Sequence, residues 1–322
     1  MSLLDKKKQV IELSHALIKH GLIARTWGNV SIKVDDNHFL ITPSGRAYES
    51  LSPEDVVLVT MKSLDYEGHI KPSSEKGIHS SVYELKPHVQ CVIHTHQSYA
   101  SALGATVLKE IPLDYTVPCA SYALPGTKQL MNHVRVALGV SKHAVIMKYH
   151  GAVCFGQSPE ETLKVAIDLE DMCKSYIHTY LDKTGDPYEN AALALGGQLK
   201  EYHPPKLDEQ FVSTPSLVAM SQLGIPLLPL LDDFAQLTGI KAPVVNQMSE
   251  IKDHPVTLVK GYGAYIQAEE DFEALKIVTQ KAGLAYMTAA LFGKVKPIHT
   301  FERILMRLVY KYKYSKQVGG AK

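Results

Sequence analysis

Gln90-Cys91-Val92-Ile93-His94-Thr95-His96 is the stretch on which the reading of this chain turns. Cys91, Val92 and Ile93 form an apolar, β-prone run, which predicts a buried strand. Side chains alternate across a strand, so His94 and His96 fall on one face, one pleat apart. Two imidazoles placed this way can share a tetrahedral divalent metal without bending the backbone. Surface or hydrogen-bonded histidines are the alternative for a bare His-x-His pair. Two other features weigh against that alternative. A carboxylate, Glu75, stands behind Pro72-Ser73-Ser74, and a third histidine occurs in Lys148-Tyr149-His150-Gly151. Together they point to three nitrogen ligands, an open coordination position and an acid/base group.

Upstream, Val10, Leu13, Ala16, Leu17 and Ile18 recur at helical spacing, which predicts an amphipathic helix over 6–20, ended by Gly21. Residues 29–33 and 38–42 read as a β-hairpin around Asp35-Asp36-Asn37, and 56–60 as a further buried strand. Ser52-Pro53-Glu54-Asp55 has the form of a capped turn. Strands returning through turns predict a mainly antiparallel sheet. A helix carrying Ile78, Val82 and Leu85 follows Glu75 and stops before Pro87. Ser73 and Ser74 then lie at a helix N-terminus, where unpaired N–H groups and the helix dipole favour an anion. A plain N-cap serine is the simpler reading. The small polar loops at Asn29 and at Ser44-Gly45 could bring further donors to the same place.

Downstream, helices are expected over 97–104 and from Gly126 through Leu138, with a strand at 144–147 that ends just before His150. Ser158-Pro159-Glu160-Glu161 opens a long helix to about residue 181.

The 322 residues suffice for one large domain or two ordinary ones, and 45% are hydrophobic. A formal charge of +1 gives no electrostatic reason to expect nucleic acid or an acidic membrane as partner. Cys91, Cys119, Cys154 and Cys173 are widely spaced, with no Cys-x-x-Cys, and read as reduced core residues. No apolar run near the N-terminus is long enough for a signal peptide or membrane span, so a cytoplasmic protein is expected.

Gly28-Asn29-Val30-Ser31, Ile41-Thr42-Pro43-Ser44-Gly45, Pro72-Ser73-Ser74-Glu75, His94-Thr95-His96, Pro118-Cys119-Ala120 and His150-Gly151 occur in the order seen in the class II aldolase/adducin family. Residues 5–185 resemble its fuculose-phosphate aldolases. The resemblance implies a three-layer α/β/α sandwich around a mainly antiparallel sheet, commonly a homotetramer with sites at subunit interfaces. It also implies one zinc per catalytic domain, held by His94, His96 and His150, with Glu75 as fourth ligand at rest and as general acid/base. Asn29, Ser44, Gly45, Ser73 and Ser74 match positions that hold a substrate phosphate. Tyr115 matches a tyrosine that protonates the aldehyde oxygen from a neighbouring subunit, although the glycine-containing stretch expected before Pro118 is shortened here. The implied reaction is cleavage of a ketose 1-phosphate to dihydroxyacetone phosphate and a small aldehyde. Epimerases, decarboxylases and dehydratases share the scaffold, and metal-free adducin-like scaffolds lack the histidines. Glu75 resembles the aldolases, since the related epimerases carry Asp there.

The expected domain order is a catalytic domain over 1–183, a linker over 184–215 rich in Gly and Pro with room for a short helix inside it, and a smaller α/β domain over 216–322. Lys148-Tyr149-His150-Gly151-Ala152 compares with Lys260-Gly261-Tyr262-Gly263-Ala264, so the last region reads as a degenerate partial copy without metal ligands. The tail over 303–316 reads as a basic amphipathic helix covering a domain edge. The other histidines, His79 and His143 among them, are scattered and receive no role.

Overall fold

The computed structural model describes residues 1–24, 26–182, 186–200, 208–268 and 272–314. Residues 184–185 and 201–207 of the expected linker, and 315–316 of the expected terminal helix, lie outside them. Chain contacts divide the described residues into one unit of 1–100 with 109–172, and a second of 101–108 with 173–313.

The first unit opens with α1 (Leu3–Lys19), capped by a reciprocal Ser2–Asp5 pair. Then come β1 (Asn29–Lys33), β2 (His38–Ile41), β3 (Val57–Thr60), α2 (Lys76–Leu85), β4 (Cys91–Thr95) and α3 (Ser98–Gly104). After these run β5 (Glu110–Pro112), β6 (Thr116–Ala120), α4 (Lys128–Leu138), β7 (Ala144–Met147), β8 (Gly151–Gly156) and α5 (Pro159–Asp182). The eight strands form one sheet in the order β3-β2-β1-β4-β8-β7-β6-β5. Every neighbouring pair is antiparallel except β6–β7.

Alternation along the strands divides the apolar residues between two faces. Phe39, Val57, Val59, Val92, Val145, Val153 and Phe155 pack with Ile78, Val82 and Tyr83 of α2 and with Leu130, Val134 and Leu138 of α4. The opposite face is covered by α1, which contacts β1 and β2, and by α5, where Thr162 Oγ1 donates to Cys91 O at 3.4 Å and Ala166 O accepts from Gln97 Nε2 at 3.3 Å. The result is the expected α/β/α sandwich. By the same alternation His94 shares the α2 face with Val92, as do Ser31 and Asn29, which pair with Val92 and His94.

The second unit holds α6 (Pro187–Ala194), β9 (Phe211–Val212), α7 (Pro215–Leu223), α8 (Asp232–Thr238), β10 (Val244–Val245), β11 (Val256–Val259), β12 (Gly263–Ile266), α9 (Phe272–Leu291) and α10 (Thr300–Val309). Its sheet runs β10-β11-β12-β9, and the buried ion pair Lys281–Asp233 ties α9 to α8. The stretch expected as a linker thus contains α6 and the sheet strand β9. The pairing repeats that of β6-β7-β8-β4, with a parallel β10–β11 pair, an antiparallel hairpin and an antiparallel edge. Even the register matches, Val259 facing Gly263 as Met147 faces Gly151. No helix among the described residues is long and apolar enough to cross a membrane.

Gly151 is required by a close approach. A Cβ there would stand 2.0 Å from Thr95 O in the neighbouring strand, inside a paired sheet that cannot part locally. Ordinarily Gly→Ala stabilises by restricting the unfolded chain. Here the sign reverses: Gly151→Ala should destabilise by on the order of 3 kcal/mol through overpacking. Urea unfolding midpoints decide this, and an alanine variant as stable as the parent would refute the packing argument.

Candidate metal centre

Four segments bring the site together. Strand β4 delivers His94 and, one residue past its end, His96. The β7–β8 turn delivers His150, closed by His150 N–H donating to Met147 O at 3.2 Å. Tyr149 inside that turn takes φ +61°, a left-handed conformation that disfavours a residue with a Cβ by about 1–2 kcal/mol. Its ring lies against Tyr122, centroids 5.4 Å apart. The residue before α2 delivers Glu75, and the start of β1 delivers Asn29, opposite His94.

The three histidines are buried, and their ligand atoms can all lie within 4.8 Å of one another, so they form a group able to hold a metal ion. His94 Nε2 and His96 Nε2 are 3.0 Å apart. Tetrahedral bonds of 2.0–2.1 Å require about 3.3 Å between ligand atoms, close to this spacing. His94 Nδ1 lies 3.0 Å from Ala152 O, so it carries the proton and turns the Nε2 lone pair toward its neighbours. Burial keeps the His94 imidazole well below the usual histidine range, hence neutral and able to ligate. Glu75 completes the group, with Oε2 3.3 Å from His94 Nε2 and Oε1 3.1 Å from His150 Nε2. Burial opposes its ionisation, but the carboxyl is held well below the ordinary range, with the Asn29 amide nitrogen donating to Oε2. The donor set therefore fits a small divalent cation.

Two loops meet beside this group. Pro43 bridges Pro72, Ser44 N–H donates to Lys71 O at 2.9 Å, and Ser73 N–H donates to Thr42 O at 3.0 Å. Ser44 and Gly45 are thereby set against Ser73 and Ser74, directly before α2. Ser73 Oγ accepts from Glu75 N–H at 3.2 Å, and Glu75 occupies the N-cap position without a capping bond from its side chain. Asn29 uses both ends of its amide: Nδ2 donates to Glu75 Oε2 at 3.0 Å, and Oδ1 faces His79 Nε2. Tyr115 is elsewhere. It precedes β6, its ring is 5.9 Å from that of His143, and His143 lies at the end of β7 opposite to His150. Within one chain Tyr115 is not brought to the histidines.

Residues 8–177 match the sequence model of the Class II Aldolase and Adducin N-terminal domain. The chain belongs to the class II aldolase/adducin family. It is 30% identical over 181 residues to the L-fuculose phosphate aldolase of Escherichia coli strain K12, covering 53% of this chain and 82% of that protein. The identical score is obtained with the L-fuculose phosphate aldolase of Shigella flexneri. Among solved structures, an L-fuculose 1-phosphate aldolase superposes with a TM-score of 0.52 at 26% identity, covering 57% of this chain and 89% of that one. Class II aldolases are metal-dependent, and the histidine group described above lies within the matched segment.

The residue that sequence reasoning passed over is His79. It is fully buried between Asn29 and Ser31, whose Oγ lies 2.6 Å from Nδ1. Glu75, His79 and Tyr83 stand four residues apart on α2, and that stripe was the available signal. Burial pushes the His79 imidazole down to about 4. An unfolded histidine, near 6.5, binds a proton between pH 6.5 and 4 that the folded site refuses, so stability falls as pH drops through this window. The shift corresponds to on the order of 3 kcal/mol. Urea unfolding of metal-free protein at pH 7 and 4.5 should show this loss, reduced in His79→Gln; equal losses in both proteins would contradict it.

Proposed function

We propose that the chain is a zinc-dependent aldolase that reversibly cleaves a ketose 1-phosphate to dihydroxyacetone phosphate and a small aldehyde. The observation that supports this most is the position of Glu75, within 3.1–3.3 Å of His150 and His94 nitrogens in a buried site. A carboxylate there can close the shell at rest, leave it for substrate, and take or return a proton at carbon. Three imidazoles are a zinc set that leaves a fourth position, which the carboxylate would give up to substrate. When bound, the metal supplies Lewis-acid stabilisation of the charge that develops on the carbonyl oxygen as the C–C bond breaks.

The remaining roles follow from placement. His94, His96 and His150 hold the ion. Ser44, Gly45, Ser73 and Ser74, with Asn29, bind the phosphate before α2, where the helix end favours an anion and fixes the reacting carbons. Glu75, where the related epimerases carry Asp, favours aldol cleavage. Tyr115 protonates the aldehyde oxygen in a neighbouring copy, which requires a homo-oligomer. The catalytic domain is read as residues 1–183. The C-terminal region is a degenerate copy, because Phe211, Ser213 and Tyr262 occupy the positions of His94, His96 and His150 in the repeated register.

Purified protein should therefore contain one zinc per chain, with affinity reduced at least about 100-fold in His94→Ala and His150→Ala, beyond the range of outer-shell changes. L-fuculose 1-phosphate, the sugar in the relatives' names, is the first substrate to offer, with dihydroxyacetone phosphate as readout. Glu75→Gln should lower kcat by about 10²–10⁴. Zinc-loaded protein that releases no dihydroxyacetone phosphate from any ketose 1-phosphate would overturn the aldolase assignment. Epimerised, decarboxylated or dehydrated product would move the reaction to the other chemistries of this scaffold.

A further inference from the structure

Behind Glu75 runs an unbroken chain of buried polar side chains. Asn29 Nδ2 donates to Glu75 Oε2 at 3.0 Å, Asn29 Oδ1 meets His79 Nε2, His79 Nδ1 meets Ser31 Oγ at 2.6 Å, and Ser31 Oγ meets Tyr83 Oη at 2.7 Å. Ser31, His79 and Tyr83 are almost wholly buried, so none of them can exchange its partner for bulk water. Tyr83 is held further by Phe39, ring centroids 5.5 Å apart.

Each bond in this chain has only one possible direction. Glu75 Oε2 accepts from the Asn29 amide nitrogen at 3.0 Å, so Asn29 turns its oxygen to His79. That oxygen also only accepts, so His79 Nε2 must carry the proton. Nδ1 of the neutral ring is then a lone pair, and Ser31 must donate to it. Ser31 Oγ in turn accepts from the Tyr83 hydroxyl. The reverse sense would need the Asn29 amide turned over, which would set its oxygen against Glu75 Oε2, where its nitrogen stands at 3.0 Å. Nothing in the chain can rotate, flip or change tautomer without leaving two buried acceptors or two buried donors face to face.

We propose that His79, locked as its Nε2–H tautomer between Ser31 and Asn29, is a positioning residue that orients the Asn29 amide and through it fixes Glu75 Oε2 beside the histidine group. The role rests on the reading of Glu75 as the carboxylate of a metal site. His79 touches neither the ion nor the substrate. It prevents the Asn29 amide from flipping, which would turn an oxygen toward the carboxylate and drive Glu75 out of register.

The test uses the full chain and three readouts. In metal-free protein labelled with ¹⁵N at histidine, long-range ¹H–¹⁵N correlation should find His79 neutral at pH 6 with the proton on Nε2. Zinc affinity, measured by chelator competition, should weaken about 10–100-fold in His79→Phe, the range for partners behind a ligand shell. His79→Gln should recover most of it, because a primary amide also offers one donor and one acceptor. Ser31→Ala, which removes the donor to Nδ1 with minimal change of volume, should weaken zinc in the same direction. Turnover should follow the same order across the variants. An Nδ1–H tautomer, or His79→Phe and His79→Gln with equal zinc affinity, would overturn the proposal. If the chain cleaves no ketose phosphate, the tautomer and the zinc series still decide the role of His79.

Discussion

The passage of the His94–Thr95 backbone between two glycines is the constraint on which the site depends. On one side Gly28, at φ +94°, leaves room that a Cβ would fill at 2.7 Å from His94 O. On the other, a Cβ on Gly151 would stand 2.0 Å from Thr95 O. β1 and β8 can therefore close on β4 from both sides, and their ladder bonds fix the strand that carries His94 and leads to His96. The same closeness sets Asn29 opposite His94 and His150 beside it. A side chain at either glycine would push a ligand-bearing strand aside, so the rigidity of the donor set originates in missing atoms.

A second condition is electrostatic. Glu75, Asn29, His79, His94, His96 and His150 are all buried, in a region where an unsatisfied polar group costs about 1–3 kcal/mol. They coexist because α2 and β1 supply complementary partners to one another: Glu75, His79 and Tyr83 from the helix, Asn29 and Ser31 from the strand. Each element alone would bury unmatched polar groups; together they form a linear set that ends on the Tyr83 hydroxyl. Helix and strand are thus held in one register by polar contacts, where an apolar seam would tolerate sliding.

The sequence disclosed the histidine group more readily than its support. His94 and His96 are visible because strand periodicity is two, and His150 because it precedes the glycine that ends a strand turn. Strand pairing was legible only as a preference for antiparallel order; the position of β4 between β1 and β8 depends on contacts distant in sequence. On α2 the apolar spacing of Ile78, Val82 and Leu85 captured attention, yet Leu85 is 41% exposed while His79 is fully buried. Propensity arguments weigh apolar residues as core and histidine as surface, and fail where a polar side chain is buried with partners. Tyr115 shows the opposite limit. A motif match located it in the sequence, whereas the fold sets it beside His143, at the end of β7 away from His150. Within the stretch expected as a linker, two residues, Phe211 and Val212, suffice to add a strand to an existing edge.

The second unit separates the frame from the chemistry. Gly261, at φ +81°, stands where Tyr149 stands, and a Cβ on Gly263 would meet Val212 O at 2.5 Å, as one on Gly151 would meet Thr95 O. Tight turn, glycine and adjoining strand recur, while the ligand positions carry Phe211, Ser213 and Tyr262, with Ser213 Oγ donating to Tyr262 O at 2.6 Å. The glycines therefore belong to the architecture and hold whether or not a metal is bound. Only the histidines belong to the metal group, although His150-Gly151 reads as one motif. Placing three histidines in the second unit would still not reproduce the first. β9 is an edge strand, and among the described residues no strand pairs on its far side, so nothing stands where Asn29 stands to orient a carboxylate. A metal group of this kind needs the strand behind it as much as the ligands in front.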